Sequence, residues 1–334
     1  MAMKKFMNDP ENLVSELLEG YALLHPGKIK VIENNLVVRA RPKDEGKVGI
    51  VTLGGSGHEP ALSGFVGEGM IDISVAGEIF AAPGAPACLE ALKRADRGAG
   101  VLFVVLNHPG DVLSANLTMQ MVEKQGLKNV KQLLTHEDIA GFPRSDPDQR
   151  RGLVGCIPVY KLVGAAAEAG KSLDEVYAIG EAYERNMATL AVAVTSATHP
   201  ATGEAMFELP DDEMEIGMGQ HGEAGTGRTQ FKTADETAET MLNMLLADLG
   251  VESGDQLLVM VNGSGATTLM ELFIIFRRVH QVLTEKGIKV ACSRVAEDLT
   301  VQEMAGFQMH IGRVTDEMVD LWNAPCDTPF MTVR

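Results

Sequence analysis

Two short stretches hold the residue types from which a catalytic site can be built. One runs Gly217-Met218-Gly219-Gln220-His221-Gly222-Glu223-Ala224-Gly225-Thr226-Gly227-Arg228, a single histidine among five glycines. That glycine density marks tight turns or a backbone held close to a ligand. A histidine on such a loop serves as nucleophile, general base or metal ligand; the alternative is a surface turn with an incidental histidine. The other stretch is Gly54-Gly55-Ser56-Gly57-His58-Glu59-Pro60, directly after the apolar run Val48 to Leu53. A strand that feeds a glycine-rich turn at its carboxyl end is where open α/β sheets bind ligands. Two further loops follow apolar runs in the same way, one carrying Glu78 and one reading Asn107-His108-Pro109-Gly110-Asp111. For His58 and Asp111 the plain alternatives are a loop histidine and a helix N-cap.

Several chemistries find no pattern here. A metal site needs three or four ligands, and neither HxH, HExxH nor HxxxH spacing occurs, so no metal is expected. Gly-Gly-Ser-Gly-His is not the G-x-S-x-G of a serine hydrolase. Gly54–Gly57 and Asn262–Gly265 each follow an apolar run and can offer backbone N–H groups to oxyanions, yet neither is a Walker A loop nor a complete GxGxxG. The remaining covalent possibility is a nucleophilic histidine, which composition alone does not establish. A neutral imidazole nitrogen adds to an activated ketone to give a hemiaminal, a bond that a plain polyol cannot form.

The elements around these loops alternate. Apolar runs over residues 100–106, 130–135, 190–195, 255–261, 290–295 and 307–314 read as strands. Helices read over 86–97, 155–169, 172–187, 233–249 and 269–286, the third opened by a Ser172–Glu175 capping box. Residues 29–38 read as a strand or an extended arm. The fold class is therefore α/β, with two α/β domains, each a largely parallel or mixed sheet covered by helices. The boundary falls near residue 184, giving a 1–184 domain with the His58 and Asp111 loops and a 185–334 domain with the His221 loop. A site between the two is expected.

Composition narrows the partners. The formal charge of −17 over 334 residues opposes binding to nucleic acid or to anionic membrane surfaces. No stretch approaches the roughly 20 apolar residues of a membrane span, and the first ten residues do not form a signal peptide. Cys88, Cys156, Cys292 and Cys326 are widely spaced, which fits reduced thiols in a cytoplasmic protein.

The motifs in their order resemble the K subunit of dihydroxyacetone kinase nearly end to end. The matching pieces are Gly54-Gly55-Ser56-Gly57-His58-Glu59-Pro60, Ala76-Gly77-Glu78-Ile79-Phe80, Asn107-x-x-Gly110-Asp111 and Lys161-Leu162-Val163-Gly164. Further matches are Glu213 to Glu223 around His221, Met304-Ala305-Gly306-Phe307, and the Leu321-Trp322 to Pro329 tail. The resemblance implies a two-domain α/β subunit that binds dihydroxyacetone and leaves the nucleotide to another chain. It implies that His221 holds the ketone as a hemiaminal and that Asp111 is the general base. His58 is then its hydrogen-bonding acid/base partner, with Gly54, Gly55, Ser56 and Gly57 lining the pocket. It also implies a homodimer, a nucleotide-binding L subunit carrying ADP or ATP with magnesium, and, in phosphotransferase-linked systems, an M subunit. The family's lysine ahead of its Asn-Tyr-Thr-Gly-Asp loop is Leu106 here, and His108 enters that loop as a substrate contact or a solvent-facing residue. A four-carbon ketose such as erythrulose is the alternative substrate, and a ketose-sensing co-activator of transcription the alternative role.

Overall fold

A computed structural model of the protein describes residues 4–219, 222, 223, 225 and 227–334. The chain divides into two compact units, each assembled from separate stretches. One contains residues 4–135, 156–182 and 320–334; the other contains residues 136–155 and 183–319.

In the first unit α1 (Leu13–Leu24) precedes a hairpin of β1 (Ile29–Ile32) and β2 (Leu36–Arg39). Then follow β3 (Gly49–Ser56), β4 (Ile73–Ile79), α2 (Ala85–Ala95), β5 (Val101–Leu106), α3 (Pro109–Lys124) and β6 (Val130–Thr135). The segment read as a strand or arm over 29–38 is thus two short strands turned at Asn34 and Asn35, both at positive φ. The sheet order is β1-β2-β4-β3-β5-β6, with β4, β3, β5 and β6 parallel, β2 antiparallel to β4, and β1 antiparallel to β2. Every residue of β5 is buried, as expected of a parallel strand covered on both faces. Val51 and Leu53 point into a core with Cys88, Leu89 and Leu92 of α2 and Ala115 and Val122 of α3. Thr52 points the other way, to α4 (Cys156–Glu168), where its hydroxyl lies 2.8 Å from that of Tyr160. Helix α5 (Leu173–Glu184) follows, with Ser172 and Glu175 in the expected reciprocal cap.

The second unit is built on β7 (Met187–Ala193), β8 (Glu213–Ile216), β9 (Gly227–Gln230), α6 (Ala234–Leu249), β10 (Gln256–Gly263), α7 (Leu269–Glu285), β11 (Lys289–Ala296) and β12 (Gly306–Arg313). Its sheet order is β11-β10-β12-β7-β8-β9, parallel only between β10 and β11. Thr233 with Glu236 and Thr268 with Glu271 form capping boxes that start α6 and α7, satisfying N–H groups a helix leaves open. Their apolar faces, through Met241, Leu242, Leu245, Leu272, Ile275 and Val279, close the core over the sheet. Helix α8 (Asp316–Asn323) and the pair β13 (Cys326–Asp327) and β14 (Thr332–Val333) end the chain. Buried Lys161 of α4 donates to the carbonyls of Leu321 and Ala324 at 2.7 Å each, fastening that tail.

The compact units differ from the 1–184 and 185–334 extents read from the sequence. Residues 136–155 pack with the second unit because they are cross-linked to it. Arg144 and Arg150 both donate to the Asp248 carboxylate, at 2.7 and 2.5 Å. The N–H of Ile139 donates to the carbonyl of Thr189 in β7 at 3.0 Å. Near the start of this segment Glu137 is buried, and its Oε1 accepts the N–H groups of Leu153 and Gly155, at the segment's other end, at 2.8 Å each. Its Oε2 has no hydrogen-bond partner among the described residues.

Burial pushes the Glu137 carboxyl up to about 7, against those two hydrogen bonds. A raised carboxyl pKa means that the folded state holds a proton the unfolded chain, near 4.3, has released. Glu137 therefore makes its best contribution below about pH 4.5 and loses it as pH rises through about 7. Glu137→Gln is expected to unfold like wild type at pH 4.5 and to exceed it by about 2–4 kcal/mol at pH 8. Urea midpoints at the two pH values check this.

Candidate functional site

Strand direction decides where the chemistry collects in the first unit. From β3 the chain moves to one side to form β4, then crosses back to form β5 on the other flank of β3. The strand order therefore reverses between β3 and β5, and a crevice opens outside the carboxyl ends of strands at such a point. His58 follows β3, and Asp111 follows β5. Both residues are buried, at 7% and 9% exposure, and burying such polar groups costs free energy unless they are paired.

The local reasons are specific. Strand β3 extends through Ser56, so Gly54, Gly55 and Ser56 are strand residues and only Gly57 makes the turn, at φ +102°. A side chain at Gly55 would meet the backbone nitrogen of Ala81 at 2.7 Å. Glycine there lets residues 80–83 fold back across the strand end. Phe80, itself at φ +56°, packs tilted against the His58 ring with centroids 5.1 Å apart and planes at 50°. The Glu59 carboxylate accepts the N–H of Gly57 at 3.0 and 3.1 Å. Burial nevertheless lifts its pKa above the ordinary carboxylate range.

On the other flank, α3 begins at Pro109 with His108 as its extended N-cap residue, and Asp111 lies in its first turn rather than at its cap. The helix N-terminus favours an anionic carboxylate there. Ser114 donates to the carbonyl of Pro83, which ties the start of α3 to the loop between β4 and α2. Burial pushes the Cys88 thiol up to about 12, and the nearby Asp111 charge adds to this. His108 is 6% exposed and so does not face solvent, and Leu106, the last residue of β5, is 4% exposed.

In the second unit His221 lies outside the described residues, but the hairpin that carries it is β8–β9, paired from Glu213↔Gln230 to Ile216↔Gly227. Neither strand was legible in the charged run Asp211 to Glu215. Glu215 is buried, and its carboxylate accepts the N–H of Gly225 at 2.8 Å. Arg151 donates to the carbonyl of Gly217 at 2.7 Å. Phe80 and Arg151 are the site-side residues that reading by spacing did not weigh. Phe80 carries a signal, inside Ala76 to Phe80, whereas Arg151 is one charge in a polar run.

The oxyanion reading of Asn262–Gly265 does not survive. Asn262 and Gly263 belong to β10, and the Asn262 side chain bridges Leu299 and Asp298 at 2.7 and 2.8 Å. The N–H groups of Ser264 and Ala266 donate to the carbonyls of Gly306 and Met304. His310 is a core residue between Tyr183 and Thr189, at 2.8 Å from each, and burial pulls it down to about 3. All four cysteines are buried and none is in a disulfide. Among the described residues no group of three metal-ligating side chains occurs, and no helix is long and apolar enough to cross a membrane.

A model of the Dak1 domain matches residues 19–330. The chain belongs to the Dak1 family. It is 38% identical to the dihydroxyacetone-binding subunit of a PTS-dependent dihydroxyacetone kinase of Listeria innocua, over 98% of this chain and 99% of that one. An L-erythrulose kinase of Pectobacterium atrosepticum is 35% identical over 98% of this chain, which spans 56% of that longer protein. A solved structure of the dihydroxyacetone kinase operon co-activator Dha-DhaQ superposes with a TM-score of 0.89 at 29% identity, covering 95% and 98% of the two chains. The dihydroxyacetone kinase of C. freundii, solved with AMP-PNP and Mg2+, gives 0.87 at 29% identity, over 99% of this chain and 61% of that one.

Proposed function

We propose that this Dak1 chain is the ketose-binding subunit of a dihydroxyacetone-type kinase. In this reading a His221 ring nitrogen bonds to the carbonyl carbon, the carbonyl oxygen takes a proton, and the imidazole gives up its N–H. The sum is addition across the C=O with no water lost. Asp111 then takes the proton of a terminal hydroxyl as that oxygen attacks the terminal phosphorus of a nucleotide; the bond from that phosphorus to its bridging oxygen breaks, the nucleotide leaves one phosphate shorter, and His58 hydrogen-bonds the reacting end. Gly57 and Ser56 line that end, with Gly54 and Gly55 behind them, and His108 contacts the sugar. The nucleotide, with magnesium, sits on a separate L-type subunit, recharged in a phosphotransferase-linked system by an M-type one. The chain itself holds no cofactor, works in the cytoplasm, and pairs as a homodimer. The exposed stripe Leu269, Met270, Phe273 and Ile274 on α7 is the face such pairing favours.

The observation that carries the reading is the placement of His58 and Asp111, both buried, on the two strand ends that flank the reversal of strand order. Identity to a dihydroxyacetone-binding subunit along nearly the whole chain supports the substrate class. Leu106 and the similarity to an erythrulose kinase support a four-carbon ketose as the second substrate to test. The similarity to a co-activator supports the sensor role as a second reading; a sensor binds ketose but transfers no phosphate with any L-type subunit.

Native mass spectrometry of wild type and His221→Ala, against dihydroxyacetone, both erythrulose enantiomers and glycerol, tests the reading. The expected result is a wild-type adduct of the full ketose mass, lost in the variant and not formed with glycerol. No adduct with any ketose overturns covalent capture.

A further inference from the structure

Arg151 has no part in the chemistry proposed above, yet it is built into the loop that carries His221. Its Nη2 donates to the carbonyl of Gly217 at 2.7 Å, and its Nη1 donates to the carbonyl of Glu223 at 3.4 Å. Gly217 precedes His221, and Glu223 follows it. One planar cation therefore holds both limbs of the loop.

Behind the guanidinium stands a fixed support. The Asp138 Oδ2 accepts from Nε of Arg151 at 2.8 Å and lies 2.7 Å from Nη2. Asp138 is 1% exposed, and its Oδ1 accepts the N–H of Ala140 at 2.9 Å. Its own N–H donates to the carbonyl of Arg151 at 3.0 Å, and Ile139 donates to Thr189 of β7. The linkage thus runs from a central strand through a buried carboxylate to the loop. The loop is shaped to receive it. The N–H of Gly219 donates to the carbonyl of Glu223 at 2.9 Å, and a side chain at Gly219 would collide with Arg151 Nη1 and the Glu223 carboxylate.

The physical need is clear. A glycine-rich loop has much conformational entropy to lose, whereas a side chain that bonds to substrate must be held near its attack geometry, and a misplacement of about 1 Å costs about a hundredfold. Arginine offers five donors in a rigid fork, while lysine offers one point charge. We infer that Arg151 is a positioning residue for ketose capture, holding the His221 loop without touching the ketose. The inference rests on the reading of His221 as the capturing group.

The experiment compares wild type, Arg151→Lys and Arg151→Gln by thermal melting, native mass spectrometry over a dihydroxyacetone titration, and turnover with an L-type subunit. In both variants half-maximal adduct is expected at about ten to a hundred times more ketose, with kcat/KM falling by the same factor. The fall in kcat at saturating ketose is expected to be several times smaller. Arg151→Lys keeps a cation beside Asp138 but lacks the second nitrogen for Glu223, so it separates geometry from stability. A lysine variant that melts with wild type but captures ketose poorly supports the inference. A lysine variant that captures ketose like wild type overturns it while leaving the His221 reading intact. No adduct on wild type overturns both, and that result needs no Arg151 variant.

Discussion

Asp111→Asn is expected to lower turnover by about a hundred- to ten-thousandfold while leaving the ketose adduct on wild-type terms. Asp111 lies in the first turn of α3, 9% exposed, after the strand that neighbours the one His58 follows. Asparagine keeps the volume and one acceptor oxygen, so the helix start and the Ser114–Pro83 tie are retained. It cannot take a proton from a hydroxyl at neutral pH. Capture at His221 needs no such base, so adduct formation and turnover separate. The check is steady-state turnover with an L-type subunit beside native mass spectrometry on the same preparation. Near-normal turnover removes Asp111 from the role of general base. His58→Asn, tested alongside, reports whether the histidine shares that proton.

The largest stability effect is expected at Asp72. Its carboxylate accepts from Arg39 and Lys43 at 2.8 Å each and from the N–H of Ile50 at 2.7 Å. The side chains of all three charged residues are nearly out of reach of water, at 6%, 1% and 8% exposure for Arg39, Lys43 and Asp72. Removing Asp72 takes from Lys43 the carboxylate it pairs with and leaves Arg39 with the half-buried Glu168, and breaking a buried ion pair in this way costs about 3–5 kcal/mol. Asp72→Ala is expected to lose that much, read as a fall in the urea midpoint at unchanged slope. Glu168→Gln, which touches Arg39 and Lys47 from a carboxylate 31% exposed, is expected to lose about 1 kcal/mol or less. Equal losses in the two variants would falsify the assignment of the cost to burial.

Local pattern carried most of the secondary structure. The apolar runs over 130–135 and 255–261 became β6 and β10, and Thr233 and Ser172 capped the helices they preceded. Periodicity and capping act within a few residues, so one dimension contains them. The hairpin β8–β9 escaped notice because Glu213 and Glu215 place charges where a strand usually shows apolar alternation. Glu215 is buried, and the Gly225 N–H with the Arg228 guanidinium compensates it, partners ten and thirteen positions along the chain.

By itself the sequence determined the α/β class, the candidate residues His58, Asp111 and His221, and, through motif order, the family. The tertiary structure alone decided which of them share an edge. His58 and Asp111 follow β3 and β5, the two strands that flank the reversal, a property of strand order that no local signal encodes. It also decided that Gly55 serves close backbone packing and that Asn262 is a core bridge rather than an anion loop. The compact units were its decision too, because Arg144, Arg150 and Asp248 are joined across about a hundred residues of chain. Long-range ion pairing and strand order follow from packing the whole chain, and spacing along the sequence does not contain them.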